Sequence, residues 1–343
     1  MINDWKREYE LLLQFIAEDP RIVIRTSEVS IPQERRGEFY QRFDNVRSAV
    51  VEANLSELPI DADELSRRYM QMEQEVIRIL GIERIVMPVD LSSFLHEPRE
   101  GLARVLYTPL FDLVQGKTTV EAFEERAVQD LKSSAAELFR LGYEWWAGLA
   151  MIKLLEPDQA FVVDLDADYR PYPAELKEIS FGRQAHHPTI RIPEFVIHSR
   201  KLDRFVAVKM SIGREIETYV PQFRPPVRPK KRTGDTSFAL DSRVMLLSFM
   251  PSPDRIPIIA DIYDRTLTSP DLMVEFITAD EITDPGVMDQ VRLHAELLNP
   301  SQGMCLVLMN PASDELPEVA EGIRPVAVGF DESKLQSAIE SLV

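Results

Sequence analysis

Cysteine is nearly absent from this 343-residue chain, with Cys305 the single example. An intrachain disulfide is therefore excluded, and so are the paired-cysteine spacings of zinc fingers and ribbons. Cys305 sits in the run MCLVLM, where a small buried apolar residue is expected rather than a reactive thiol. Glycine is also sparse, at 13 residues, and no Gly-x-Ser-x-Gly elbow occurs to activate a serine. The longest apolar run, YEWWAGLAMIKLL at 143–155, contains Glu144 and Lys153. It is too short to cross a bilayer and reads as a buried helix. The polar opening MINDWKREYE lacks the apolar core of a signal peptide. Together these absences predict a soluble cytoplasmic protein with no membrane partner.

Lysine is the scarce cation, with 10 Lys against 29 Arg. Arginine's planar fork suits contacts with carboxylates and phosphates, although genomic base composition produces the same bias. The formal net charge of −18 is unevenly spread. Residues 1–150 carry 18 basic and 27 acidic side chains, residues 151–240 carry 15 and 12, and residues 241–343 carry 6 and 18. From Lys177 to Arg232 there are 13 basic and 5 acidic residues, a local excess of +8. A cationic centre between anionic ends is a statement about association, not about fold.

What is present is a globular composition, 45% hydrophobic and 28% charged, with enough chain for two or three domains. Apolar residues recur at helical spacing through 1–156: Trp5, Tyr9, Leu12, Ile16; Phe39, Phe43, Val46, Val50; Leu65, Tyr69, Met72, Val76, Ile79; and a long series from Phe123 to Ile152. Each stripe needs partners, which predicts a helical bundle. The short apolar runs at 22–24 and 85–89 fit strands or bundle connections equally. From 157 to 222 the pattern changes to short strand-like segments, AFVVDL, AELKEIS, FVAVKMSI and IETYV, predicting a small central mixed sheet. IPEFVIHSRKL (192–202) fits a short helix or an edge strand. Residues 223–240 form a basic, proline-rich linker. From 241 to 343, strands at 244–250, 272–278, 304–309 and 325–330 alternate with helices expected at 256–267, 284–298 and 332–343. Asp284-Pro285 is a good start for the second of these. That alternation predicts a doubly wound α/β layer. The fold class is thus a multidomain mixture of α+β and α/β.

One stretch carries a chemical pattern, DLDADYRPYPAELKEIS at 164–180. A divalent metal that cleaves a phosphodiester needs two converging carboxylates and a nearby cation. An Asp at the end of one strand and a Glu-x-Lys on its neighbour supply them, because strand alternation sends the Glu and the Lys to one face. Asp164, Glu175 and Lys177 follow that order. Over about residues 160–210 this resembles the core motif of the PD-(D/E)xK nuclease superfamily. The resemblance implies Mg²⁺ held by Asp164 and Glu175, and a water assisted by Lys177. Other acid-x-Lys triplets occur elsewhere in the chain, at Asp4 and Glu332 among them, so the triplet by itself is uninformative. Pro173 also departs from a central strand. An exposed hairpin with charged turn residues is the competing reading.

Other candidates are weaker. His186 and His187 read as a solvated turn before Pro188, and His96, His198 and His294 as isolated surface or partly buried residues. Ser248 and Ser252 flank the end of a strand where α/β folds place ligands, but the following FMPSPDRIP is no glycine-rich phosphate loop. Asp261, Asp264 and Glu275 read as an acidic face that could also line a cation site. Trp145 is expected in the core and Trp146 at an interface. Three function classes follow. The leading one is a non-catalytic interaction or regulatory protein with a protein partner or self-association and no cofactor. The second is a Mg²⁺-dependent nuclease or degenerate relative, with residues 177–232 tracking nucleic acid, a partner that the overall negative charge disfavours. The third is small-molecule binding at the C-terminal sheet edge.

Overall fold

The computed structural model describes residues 5–58, 61–180, 187, 189–210, 244–261, 263, 264, 266–279, 281–309, 319 and 322–340. The strand expected at 216–220, the linker at 223–240, and His186 lie outside the described residues. The fold is a mixed α/β one, divided into two compact units: Met1–Met70 with Pro88–Gly142, and Gln71–Met87 with Tyr143–Val343.

The first unit is helical, as the spacing predicts. It holds α1 (Trp5–Glu18), α2 (Gln33–Asn54) and the start of α3 (Ala62–Leu80). The short helices α4 (Val89–His96), α5 (Pro98–Val105) and α6 (Tyr107–Val114) follow, and then most of α7 (Val120–Leu154). The division between units falls inside both α3 and α7. Leu12, Phe15, Phe39, Phe43, Leu65, Tyr69 and Phe94 are buried, and the Trp5 ring lies 5.2 Å from that of Phe123. A hairpin of β1 (Val23–Arg25) and β2 (Glu28–Ser30) occupies the first ambiguous run. Helices α4 to α6 have eight residues each, too few to display a period, and each has a proline at or beside its first turn, where no N–H is needed.

The second unit is built on one eight-stranded sheet in the order β15-β14-β13-β10-β9-β8-β4-β5. Its strands are β4 (Pro157–Leu165), β5 (Pro171–Glu175), β8 (Phe195–Ser199), β9 (Arg204–Met210), β10 (Val244–Met250), β13 (Leu272–Ile277), β14 (Met304–Leu308) and β15 (Ile323–Ala327). The central sheet and the C-terminal layer expected as separate are therefore one sheet, joined by the antiparallel β9–β10 ladder, in which Met245 faces Met210. Only β13, β14 and β15 run parallel; the rest is antiparallel. The second ambiguous run also forms a strand, β3 (Arg84–Val86), paired in parallel with β6 (Glu178–Ser180).

The helix expected at 256–267 is instead two short strands, β11 (Ala260–Asp261) and β12 (Thr266–Leu267), paired with each other and with β7 (Ile190–Arg191). IPIIADIYDRTL satisfies a helical stripe on paper, but with so many apolar positions it satisfies other spacings too. Here Ile256 and Ile259 are buried against the sheet. Helix α8 (Pro285–Leu298) starts as expected, with the Asp284 carboxylate accepting from the Gly286 N–H at 2.8 Å. It buries Met288, Val291 and Leu298 against Val244, Leu246, Met273 and Leu306. The same sheet face continues into a second apolar group of Val163, Val196, Ala207 and Met250, covered by Ile190, Ile192 and Ile256.

The C-terminal part of α7 is buried at every position from Tyr143 to Ile152, Glu144 included, as a helix that is apolar almost all round must be. Trp145 and Trp146 are both buried. Trp146 is a core residue rather than an interface contact, with its ring 5.3 Å from Phe330. The Tyr143 hydroxyl donates to the Gly329 carbonyl. Lys153 bridges Glu75 at 2.6 Å and Glu332 at 2.8 Å, tying α3 and α9 (Glu332–Glu340) to α7 within this unit.

Both edges of the large sheet carry proline. On β5, Pro173 faces Val163, whose N–H donates the other way, to the Glu194 carbonyl. The 163–173 pair is thus non-hydrogen-bonded, and Pro173 turns its missing donor outward, where an incoming strand would need it. Pro171 follows by alternation, and β15 carries Pro325. Pro171→Thr together with Pro173→Thr is expected to leave the fold intact but produce concentration-dependent association by analytical ultracentrifugation. A variant as monodisperse as the parent would rule this role out.

In the first unit, Gly101 on α5 crosses α4 so closely that an added Cβ would lie 2.5 Å from the Phe94 Cα. That neighbour is backbone and has nowhere to move. Gly101→Ala is expected to lower stability by about 1–3 kcal/mol in urea unfolding, and a neutral result would contradict the packing described.

Candidate functional site

The residues of the nuclease-like motif do not converge. Asp164 lies on β4 opposite Tyr172, and Glu175 lies on β5 opposite Phe161. Paired residues share a face, and Phe161 and Asp164 are three positions apart, so the two carboxylates project from opposite faces of the hairpin. Asp164 Oδ1 accepts from the Leu165 N–H at 2.9 Å. Lys177 is not on a strand at all. It sits in the bend between β5 and β6, so alternation cannot align it with Glu175. The two approach only as an exposed pair, 3.8 Å apart, with side chains 64% and 81% exposed. Strand β5 is an edge strand, consistent with its prolines. The cause lies in the turn: DADYRP closes with the Asp166 carboxylate accepting from the Asp168 and Arg170 N–H groups. That closure fixes the register three residues out of phase for a shared site.

The other candidates are likewise apart. His187 accepts from the Ile190 N–H at 3.1 Å and packs on Tyr169, as a turn residue would. His198 Nδ1 lies 2.7 Å from Asp158, and His96 Nδ1 lies 2.8 Å from the Ser92 carbonyl. Asp261 caps its own turn, accepting from Tyr263 N–H at 2.9 Å. Ser252 is in an exposed turn beside Asp254, whereas Ser248 is buried within β10. Among the described residues, no three His, Cys, Asp or Glu side chains gather as a metal site.

The sheet nevertheless holds a buried carboxylate–lysine pair elsewhere. Phe195 faces Val208 on the β8–β9 ladder, and continuing that register one step sets Glu194 opposite Lys209. Lys209 Nζ lies 2.8 Å from Glu194 Oε1, with the two side chains only 5% and 3% exposed. Glu194 Oε2 accepts from the Met210 N–H at 2.7 Å. Burial pushes the Glu194 carboxyl up from its ordinary range, opposed by the Lys209 ammonium and by hydrogen bonds from Lys209 and the Met210 N–H. Two positions before Lys209, on the same face, stands Ala207, buried between Val196 and Ser248. The Ser248 hydroxyl has no partner among the described residues.

A second buried pair lies on that face. His294 of α8 is not a surface residue; its Nδ1 sits 3.2 Å from Glu275 Oε2 on β13. Glu275 is therefore a core residue and not part of an exposed acidic edge.

Sequence reading missed Glu194 and Lys209, although a signal was present. Lys209 is the one charge after Arg204 in the strand RFVAVKM, and a lysine buried in such a strand needs a carboxylate to face it. Here an acid beside one strand faces a lysine on the next, with Ala207 two residues before the lysine. No protein-family model, no curated protein and no solved structure matches this chain.

The pair itself is testable. Lys209→Met leaves a lone buried carboxylate and is expected to cost about 3–5 kcal/mol at neutral pH. Without the ammonium, the raised Glu194 carboxyl rises further. The cost should therefore be greatest above its new titration point and shrink as the pH falls and the group takes a proton. The double variant Glu194→Leu, Lys209→Met should recover most of the loss. Urea unfolding of the cycle at two pH values measures both effects, and a double variant worse than either single would contradict the pairing.

Proposed function

We propose that this protein works by binding rather than by bond cleavage, and that its sheet carries a degenerate form of the layout used for metal-dependent phosphodiester cleavage. One observation carries the reading: Ala207 stands where the second carboxylate would be needed, and Lys209 is neutralised by the Glu194 carboxylate 2.8 Å away. A single acid already committed to an ammonium and a backbone N–H has little capacity left for a divalent ion. The alternative carboxylate pair, Asp164 and Glu175, lacks a common face. The chemistry that remains is association. The cationic stretch 177–232, with its excess of +8, is the element proposed to meet an anionic protein surface, on a partner or a second copy. One buried cysteine and no disulfide suit a reducing cytoplasm.

The test has two arms. The purified protein should leave single- and double-stranded DNA and RNA intact with Mg²⁺ or Mn²⁺. Cleavage that disappears in Lys209→Ala while the circular dichroism is unchanged would overturn the non-catalytic reading. Ala207→Asp restores the second acid inside an apolar cluster. It should lower the melting temperature in chelator and regain it with Mn²⁺, since an ion bound only to the folded state stabilises it. The parent should show no such metal dependence. If Mn²⁺ fails to rescue the variant, the degenerate-site part of the proposal is wrong.

A further inference from the structure

We draw no further inference here: the strongest candidate, the unpartnered buried Ser248 hydroxyl beside Ala207 and the Glu194–Lys209 pair on the α8-covered face of the sheet, belongs to the site already described, and nothing in the structure shows what group it would serve.

Discussion

An ammonium placed inside an eight-stranded sheet cannot stand alone, and the second unit is arranged around that constraint. Desolvating Lys209 without a counter-charge would cost several kcal/mol. Glu194 supplies the charge only if β8 and β9 hold one register, 195 opposite 208. A slip of one residue would turn every side chain of β8 to the other face and separate the pair. The carboxylate is also held from behind, by the Met210 N–H. The pair is thus a statement about which register is populated as much as about how stable the sheet is.

That register propagates. Ala207 faces Ser248 and Lys209 faces Leu246 across the β9–β10 ladder, so the face chosen by the ion pair is also the face on which Leu246 and Val244 meet α8. Further along, β13 presents Glu275 to His294 on the same side. Two polar pairs and two apolar clusters therefore share one surface of the sheet. Ala207 lies with Ile190, Ile192 and Ile256 in the apolar cluster on its part of that surface. An acid in that position would need either a cation or a different cover. Alanine, which carries no polar group, suits that apolar cover.

Legibility in the sequence followed the length of each repeating pattern. Helices α2, α3 and α7 run for 22, 19 and 35 residues and declare their stripes over several turns. Strands β10, β13 and β14 are apolar apart from Ser248 and Glu275 because both faces are covered. The eight-residue helices α4 to α6 and the two-residue strands β11 and β12 are too short to carry a period. Their placement is tertiary: Gly101 is small because Phe94 is near, which no local pattern announces. Sheet continuity was hidden for a similar reason. Composition changes between the middle of the chain and its end, but strand pairing ignores composition, and β9 and β10 are partners across more than thirty intervening residues.

The site was half legible, and the two halves failed in different ways. The search for an acid, a strand and an acid-x-Lys selected Asp164, Glu175 and Lys177 because all three residue types were present there. It passed over Glu194 and Lys209 because position 207 is alanine. At 164–177 the residue types are present but the carboxylates lie on opposite faces, whereas Glu194 and Lys209 meet across one ladder. Burial separates the two cases. A buried lysine that must be kept charged is costly to place, so it is found among apolar neighbours with a partner at hydrogen-bond distance, as Lys209 is. Lys177, in an exposed bend, bears no such cost and carries no such information. A charged residue interrupting an apolar strand is therefore a stronger pointer to a buried pair than a triplet of the right letters in a turn is to a metal site.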